Sequence, residues 1–106
     1  MEYELREYVE DGKSPFGRWF TELPPVAAAR IDKYLRRMRQ GNFGDSKSVG
    51  AGVLELRIDC GPGYRVYYGR DGQRLVILLA GGSKRSQSRD IAAAKVRWAR
   101  YRKDRN

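Results

Sequence analysis

The sequence predicts a small α+β fold: strand, helix, helix, three antiparallel strands, helix, with the helices packed on a twisted sheet. Two stretches with helical apolar spacing meet at a Pro-Pro break, three strand-like runs follow between glycine turns, and a last helical pattern closes the chain. At 106 residues, 1–106 is read as one domain, since that length supplies one modest core.

YELREYV (3–9) alternates weakly and carries tyrosine and valine, which suits a first strand that Asp11-Gly12 ends. In SPFGRWFTEL (14–23), Ser14 is placed to cap a helix and Pro15 to occupy its first position. Phe16, Trp19, Phe20 and Leu23 then follow helical spacing. Pro24 and Pro25 break that helix and start another, running to about Arg39, whose stripe is Ala27, Ile31, Tyr34, Leu35 and Met38. Gly41 ends this helical hairpin, and 41–52 reads as a loop.

VLELRID (53–59) alternates cleanly, with Leu54, Leu56 and Ile58 on one face and Val53, Glu55, Arg57 and Asp59 on the other. After a Gly-Pro-Gly turn, YRVYY (64–68) groups Tyr64, Val66 and Tyr68 and sets Arg65 and Tyr67 opposite. Asp71-Gly72 marks a hairpin. LVILLA (75–80) is apolar on both faces, as an inner strand covered on both sides would be. A final helix runs from about Ser86 to Arg102, with Ile91, Ala94, Trp98 and Tyr101 on one side and a basic tail from about 102.

The chain holds 22 Lys and Arg against 13 Asp and Glu, a net charge of +9. An excess of this size marks a polyanion partner such as nucleic acid. Lys84 to Arg105 contains nine basic residues against only Asp90 and Asp104, so the charge is concentrated. Histidine is absent, which removes the commonest general base and metal ligand, and the single Cys60 excludes an internal disulfide. No run approaches a membrane span, and the acidic start is unlike a signal peptide. A cytoplasmic protein without metal or cofactor is expected.

On these faces Arg57 and Arg65 are expected to point outward from a hairpin, with Tyr67 beside them to stack on a base or donate its hydroxyl. Arg30, Arg36, Arg37 and Arg39 of the second helix, with Arg89, Lys95 and Arg97 of the last, extend the basic surface. The structural alternative for Arg65 is a cross-strand ion pair with Glu55 or Asp59.

The stretches L-x-L-R, G-P-G-Y-R-V-Y-Y and L-L-x-G-G-x-K, in that order, resemble the RelE/ParE toxin superfamily and its HigB-like addiction module killer protein branch. The similarity spans nearly the whole chain and is strongest from Leu54 to Lys95. It implies a RelE-like fold and a toxin restrained by an antitoxin encoded beside it. Many such relatives cut mRNA in the ribosomal A site using the RNA 2′-hydroxyl; others poison DNA gyrase. The resemblance assigns Arg65 to the scissile phosphate, Arg57 to a neighbouring basic position and Lys84-Arg85 to the basic pair after the last strand.

The chain departs from that pattern where the best-known relatives carry lysines, here Val53 and Glu55, and where they carry a tyrosine, here near Ile91. Glu55, Asp59 or Asp90 is left as base, and Lys84, Tyr67 or another tyrosine as acid. RNA contacts are expected at Tyr67, Arg89, Lys95, Arg97, Arg36 and Arg37, and antitoxin contacts at Trp98 and Tyr101. A gyrase-poisoning toxin and a basic nucleic-acid-binding module are the alternatives.

Overall fold

A computed structural model describes residues 2–105. Its elements are β1 (Glu4–Glu7), α1 (Pro15–Thr21), α2 (Pro25–Arg39), β2 (Asp45–Gly50), β3 (Val53–Ile58), β4 (Tyr64–Asp71), β5 (Leu75–Gly82) and α3 (Gln87–Arg105), the last entered through a 3-10 turn at Lys84–Ser86. The five strands form one sheet in the order β1-β5-β4-β3-β2. β1 runs parallel to β5 and every other pair is antiparallel.

The helix starts follow local chemistry. Ser14 Oγ accepts the Gly17 N–H at 2.8 Å, satisfying a donor that the first turn of α1 would otherwise leave unpaired. Pro25 opens α2, where its missing N–H costs nothing. The two short helices lay Phe16, Ile31, Leu35 and Met38 against Leu56, Ile58, Val66, Tyr68, Val76 and Leu78. That is the first core, on one face of the sheet.

A second core lies on the other face, where α3 packs Ala94 and Trp98 against Val53, Tyr67, Ile77, Leu79 and Ala80. This corrects the expectation that Glu55, Arg65 and Tyr67 face outward. Glu55 and Tyr67 are fully buried and Arg65 is 6% exposed, because α3 roofs the face that alternation alone would leave in water. β5 is an inner strand, and a bulge in it sets Tyr67 opposite Ala80 and Tyr68 opposite Leu78. Leu79 is thus the extra residue, and it and Ala80 both join the second core.

The expected loop at 41–52 also contains a strand. β2 (DSKSVG) has almost no apolar alternation, and it is held by antiparallel pairing with β3 as a sheet edge. Only Ser46 and Val49 of this strand are half-buried, and Ser46 Oγ accepts the Tyr68 hydroxyl at 2.8 Å.

Each tryptophan lies on a glycine. A Cβ at Gly81 would collide with the Trp19 ring, and one at Gly69 would lie 2.5 Å from the Trp98 indole. Gly69→Ala is therefore expected to cost about 1–3 kcal/mol by overpacking, read from urea midpoints. In a Trp98→Leu background the same change should cost clearly less.

Candidate functional site

Where β3 ends and β4 begins, a cleft of about 460 Å³ opens, lined by Tyr34, Asp45, Arg57, Ile58, Asp59, Gly63, Arg65 and Lys84. The backbone explains why these residues meet. Arg57 and Arg65 are direct cross-strand partners, and Asp45 is the partner of Arg57 on its other side. The turn at 60–63 closes with Gly63 N–H donating to Cys60 O at 3.1 Å. Lys84 N–H donates to Pro62 O at 3.3 Å, which ties the turn after β5 to the turn before β4 and brings Lys84 to the cleft. Gly63 has φ +75°, and a Cβ there would lie 3.0 Å from Arg65 Nη1. Both the backbone and the guanidinium require glycine at that position.

Arg65 donates from Nη1 to Gly63 O at 2.6 Å, while its Nε stands 3.7 Å from Glu55 Oε2. Arg57 Nε stands 3.6 Å from Glu55 Oε1, and its side chain is 44% exposed. Glu55 Oε2 accepts the Tyr67 hydroxyl at 3.1 Å and Gln87 Nε2 at 2.8 Å. The pair of Arg65 with Glu55, the structural alternative drawn from the sequence, is therefore present, and Arg65 lines the cleft as well.

Tyr67 is not a stacking platform: its ring belongs to the second core and its hydroxyl is spent on Glu55. Burial first, and then the Glu55 charge, holds its phenol protonated well above the usual tyrosine range. Among the groups considered for proton transfer, Glu55 and Tyr67 thus satisfy each other. Asp90 accepts from Ser86 Oγ and sits against Gly82. Asp59 and Lys84 are exposed at the cleft.

The remaining expected site residues lie apart from it. Arg85 and Arg89 line a separate depression with Ser83, Ser86 and Ser88, since the 3-10 turn rotates Arg85 away from Lys84. Arg36 pairs with Asp32 at 3.2 Å on the open side of α2. Arg37 stacks 5.3 Å from the centroid of the Tyr34 ring and so adjoins the cleft. Lys95 is half-buried over Gly50, and Arg97 donates to Leu79 O at 3.0 Å. Arg97 is thereby committed to the sheet instead of to solvent.

Trp98 is 5% exposed, so it does not project as an anchor for a partner. Tyr101 stacks on it at 5.4 Å and donates its hydroxyl to Asp71 at 2.6 Å. Three site residues escaped the sequence reading. Tyr34 reads as part of the apolar stripe of α2, Asp45 falls in the expected loop, and Gln87 shows no pattern in the sequence.

Chemically, the cleft offers two guanidiniums and an ammonium from three different stretches of backbone. Arginine stays protonated and presents parallel donors, which suits the two guanidiniums to holding a phosphoryl group and not to acting as a base. Among the described residues, no cluster of His, Cys, Asp or Glu has the makings of a metal site, and no helix is long and apolar enough to cross a membrane.

Comparison with known proteins gives the family. The model for "Phage derived protein Gp49-like (DUF891)" matches residues 18–104, a span that contains the whole cleft, and the chain belongs to that family. It is also similar to a Haemophilus influenzae protein described as an uncharacterized protein, with 49% identity over 82 residues, 76% of this chain and 83% of the relative.

The buried phenols predict alkaline sensitivity. Burial is the first cause that raises Tyr8, Tyr67, Tyr68 and Tyr101 above the ordinary tyrosine value. Such groups stay protonated in the fold after the unfolded chain has begun to ionise. Their stabilising contribution is complete below about pH 10 and is lost as pH rises beyond it. Urea-unfolding stability should hold steady from neutrality to about pH 9.5 and then fall, with phenolate absorbance from these residues appearing together with unfolding.

Proposed function

We propose that this Gp49-like family member is the toxin of a type II toxin–antitoxin module, a ribosome-associated mRNA endonuclease of RelE/ParE type within the HigB-like branch. The observation that carries the reading is the meeting of Arg57, Arg65 and Lys84 in one cleft. These are three of the four residues that the resemblance places at the catalytic site, Arg65 at the scissile phosphate among them, and they come from β3, β4 and the turn after β5. The family match and the charge of Lys84 to Arg105 support the same reading.

In this reaction the RNA's own 2′-oxygen attacks the adjacent phosphorus and the 5′-oxygen of the next nucleotide leaves. The products are a 2′,3′-cyclic phosphate and a 5′-hydroxyl, with the proton lost by the 2′-hydroxyl balanced by one gained at the leaving oxygen. The nucleophile is already on the substrate, so no metal-bound water is required. Negative charge grows on the phosphoryl oxygens, and preorganised cations there contribute about 3–4 kcal/mol of transition-state stabilisation. Exposed Arg89, Arg100, Arg102 and Lys103 on α3 provide a basic surface for ribosomal RNA, and binding through them weakens steeply with salt. The antitoxin encoded alongside restrains the toxin in the cytoplasm, where both mRNA and ribosomes lie.

One observation favours a second reading. Glu55, Tyr67 and Asp90 are all engaged inside the fold, which leaves few groups for proton transfer and suits a toxin that inhibits DNA gyrase by binding.

The test adds the purified chain to a reconstituted translation system and maps new mRNA ends. Cuts inside the reading frame are expected, falling about 10²-fold in Arg57→Ala and in Lys84→Ala. Both side chains are exposed, so the fold should survive. Intact mRNA together with arrested DNA supercoiling would transfer the assignment to gyrase.

A further inference from the structure

We infer that Glu55 is a positioning residue for the cleft, acting through Arg57 and Arg65 to set the spacing at which both guanidiniums meet a single phosphate. The inference rests on the reading of the cleft as a phosphate site. Glu55, Arg57, Arg65 and Tyr67 form a square on the sheet, since Glu55 is the cross-strand partner of Tyr67 and Arg57 the partner of Arg65. Two like charges directly opposite one another repel. With Arg65 nearly buried, that repulsion is poorly screened by water. The carboxylate of Glu55 is the counter-charge one step along both strands.

Its placement does not depend on the arginines. Oε2 is held by two neutral donors, the Tyr67 hydroxyl and Gln87 Nε2, from β4 and from the start of α3. Both guanidinium nitrogens stand 3.6–3.7 Å away, beyond a good hydrogen bond. Glu55 Oε1 and Arg65 Nε accordingly have no hydrogen-bond partner among the described residues although both are buried. A buried ion pair evolved for stability alone would close that gap, because an unmade bond costs free energy there. Held open, the carboxylate restrains both cations by charge without taking up the exposed donors of Arg57 or the Nη2 of Arg65.

This role makes a prediction opposite in sign to simple charge counting. Removing a carboxylate beside two arginines raises the local positive charge and should tighten anion binding. If Glu55 positions the arginines, its removal weakens binding.

The experiment titrates the ¹⁵N-labelled full chain with inorganic phosphate and follows the Nε–H signals of Arg57 and Arg65. Wild type should shift both signals with one apparent Kd. Glu55→Gln should weaken that Kd at least tenfold and separate the two responses, whereas Asp59→Asn, which adds the same charge to the cleft, should tighten it. Glu55→Gln binding as tightly as wild type, or more tightly, overturns the role; so does a wild type whose signals ignore phosphate. If the amide spectrum shows Glu55→Gln unfolded, Tyr67→Phe decides. It keeps ring and charge but removes one of the two donors on Oε2, and should weaken phosphate about threefold; unchanged affinity overturns the role. Wild-type chain that leaves mRNA intact in translation but passes the phosphate test sinks the endonuclease and not the positioning.

Discussion

The flat packing of Trp98 on Gly69 is the contact on which the rest of the molecule depends. It sets α3 directly on the backbone of β4, with no side chain between indole and strand. Once the helix lies that close, every residue beneath it must be satisfied without water. The apolar ones, Val53, Ile77, Leu79 and Ala80, form the second core. The polar ones have to satisfy each other, and they do so at the N-terminal end of α3, where Gln87 reaches Glu55. Arg65 is nearly buried against the turn before β4, where its Nη1 reaches Gly63 O.

Glycine and arginine placements are coupled through that geometry. Gly69 admits Trp98, Gly81 admits Trp19, and Gly82 leaves room for Asp90, whose carboxylate a Cβ there would strike. The 3-10 turn between Gly82 and α3 is then short enough for Lys84 to reach the turn at 60–63. The far end of α3 is tied separately, by Tyr101 and Arg105 on Asp71 and by Arg100 on Glu10. Several of the basic residues counted in the sequence are consequently engaged within the fold. The exposed pairs among them are worth little, and a polyanion can compete for them.

Most of the fold was legible in the sequence because its signals were local. Ser14-Pro15, Pro24-Pro25, Asp71-Gly72 and the alternation of 53–59 each fix a boundary or a face within a few residues. β2 was not legible, since DSKSVG carries no apolar period and exists only as a partner for β3. The bulge at Leu79 was hidden for the reverse reason: in an all-apolar run, a change of phase leaves no trace. The site was half legible. Arg57, Arg65 and Lys84 could be brought together from strand order and resemblance, but no local pattern says that a helix far along the chain will roof Glu55, Arg65 and Tyr67. Those three read as an outward polar face until the second layer is in place. Tyr34 does pack against the first core, as its place in the stripe of α2 indicates, but helical spacing says nothing about the part of it that reaches the cleft.

Where a chain breaks the local rules without an evident structural return is a sign of function. The two cores largely obey them: apolar faces meet apolar faces and the tryptophans find glycines, although the buried Trp98 Nε1 has no hydrogen-bond partner among the described residues. The charged conflicts gather at one end of the sheet. Two arginines stand directly opposite one another, a carboxylate is buried with one oxygen lacking a hydrogen bond among the described residues, and the turn beside them requires a positive φ at Gly63. A hydrophobic square at those four strand positions would pack under α3 without any of these costs. Arg65 is retained nearly buried at the mouth of the cleft, where reduced screening would strengthen its attraction for an anion. On the positioning role proposed for Glu55, the buried carboxylate offsets that poorly screened charge from one step along both strands.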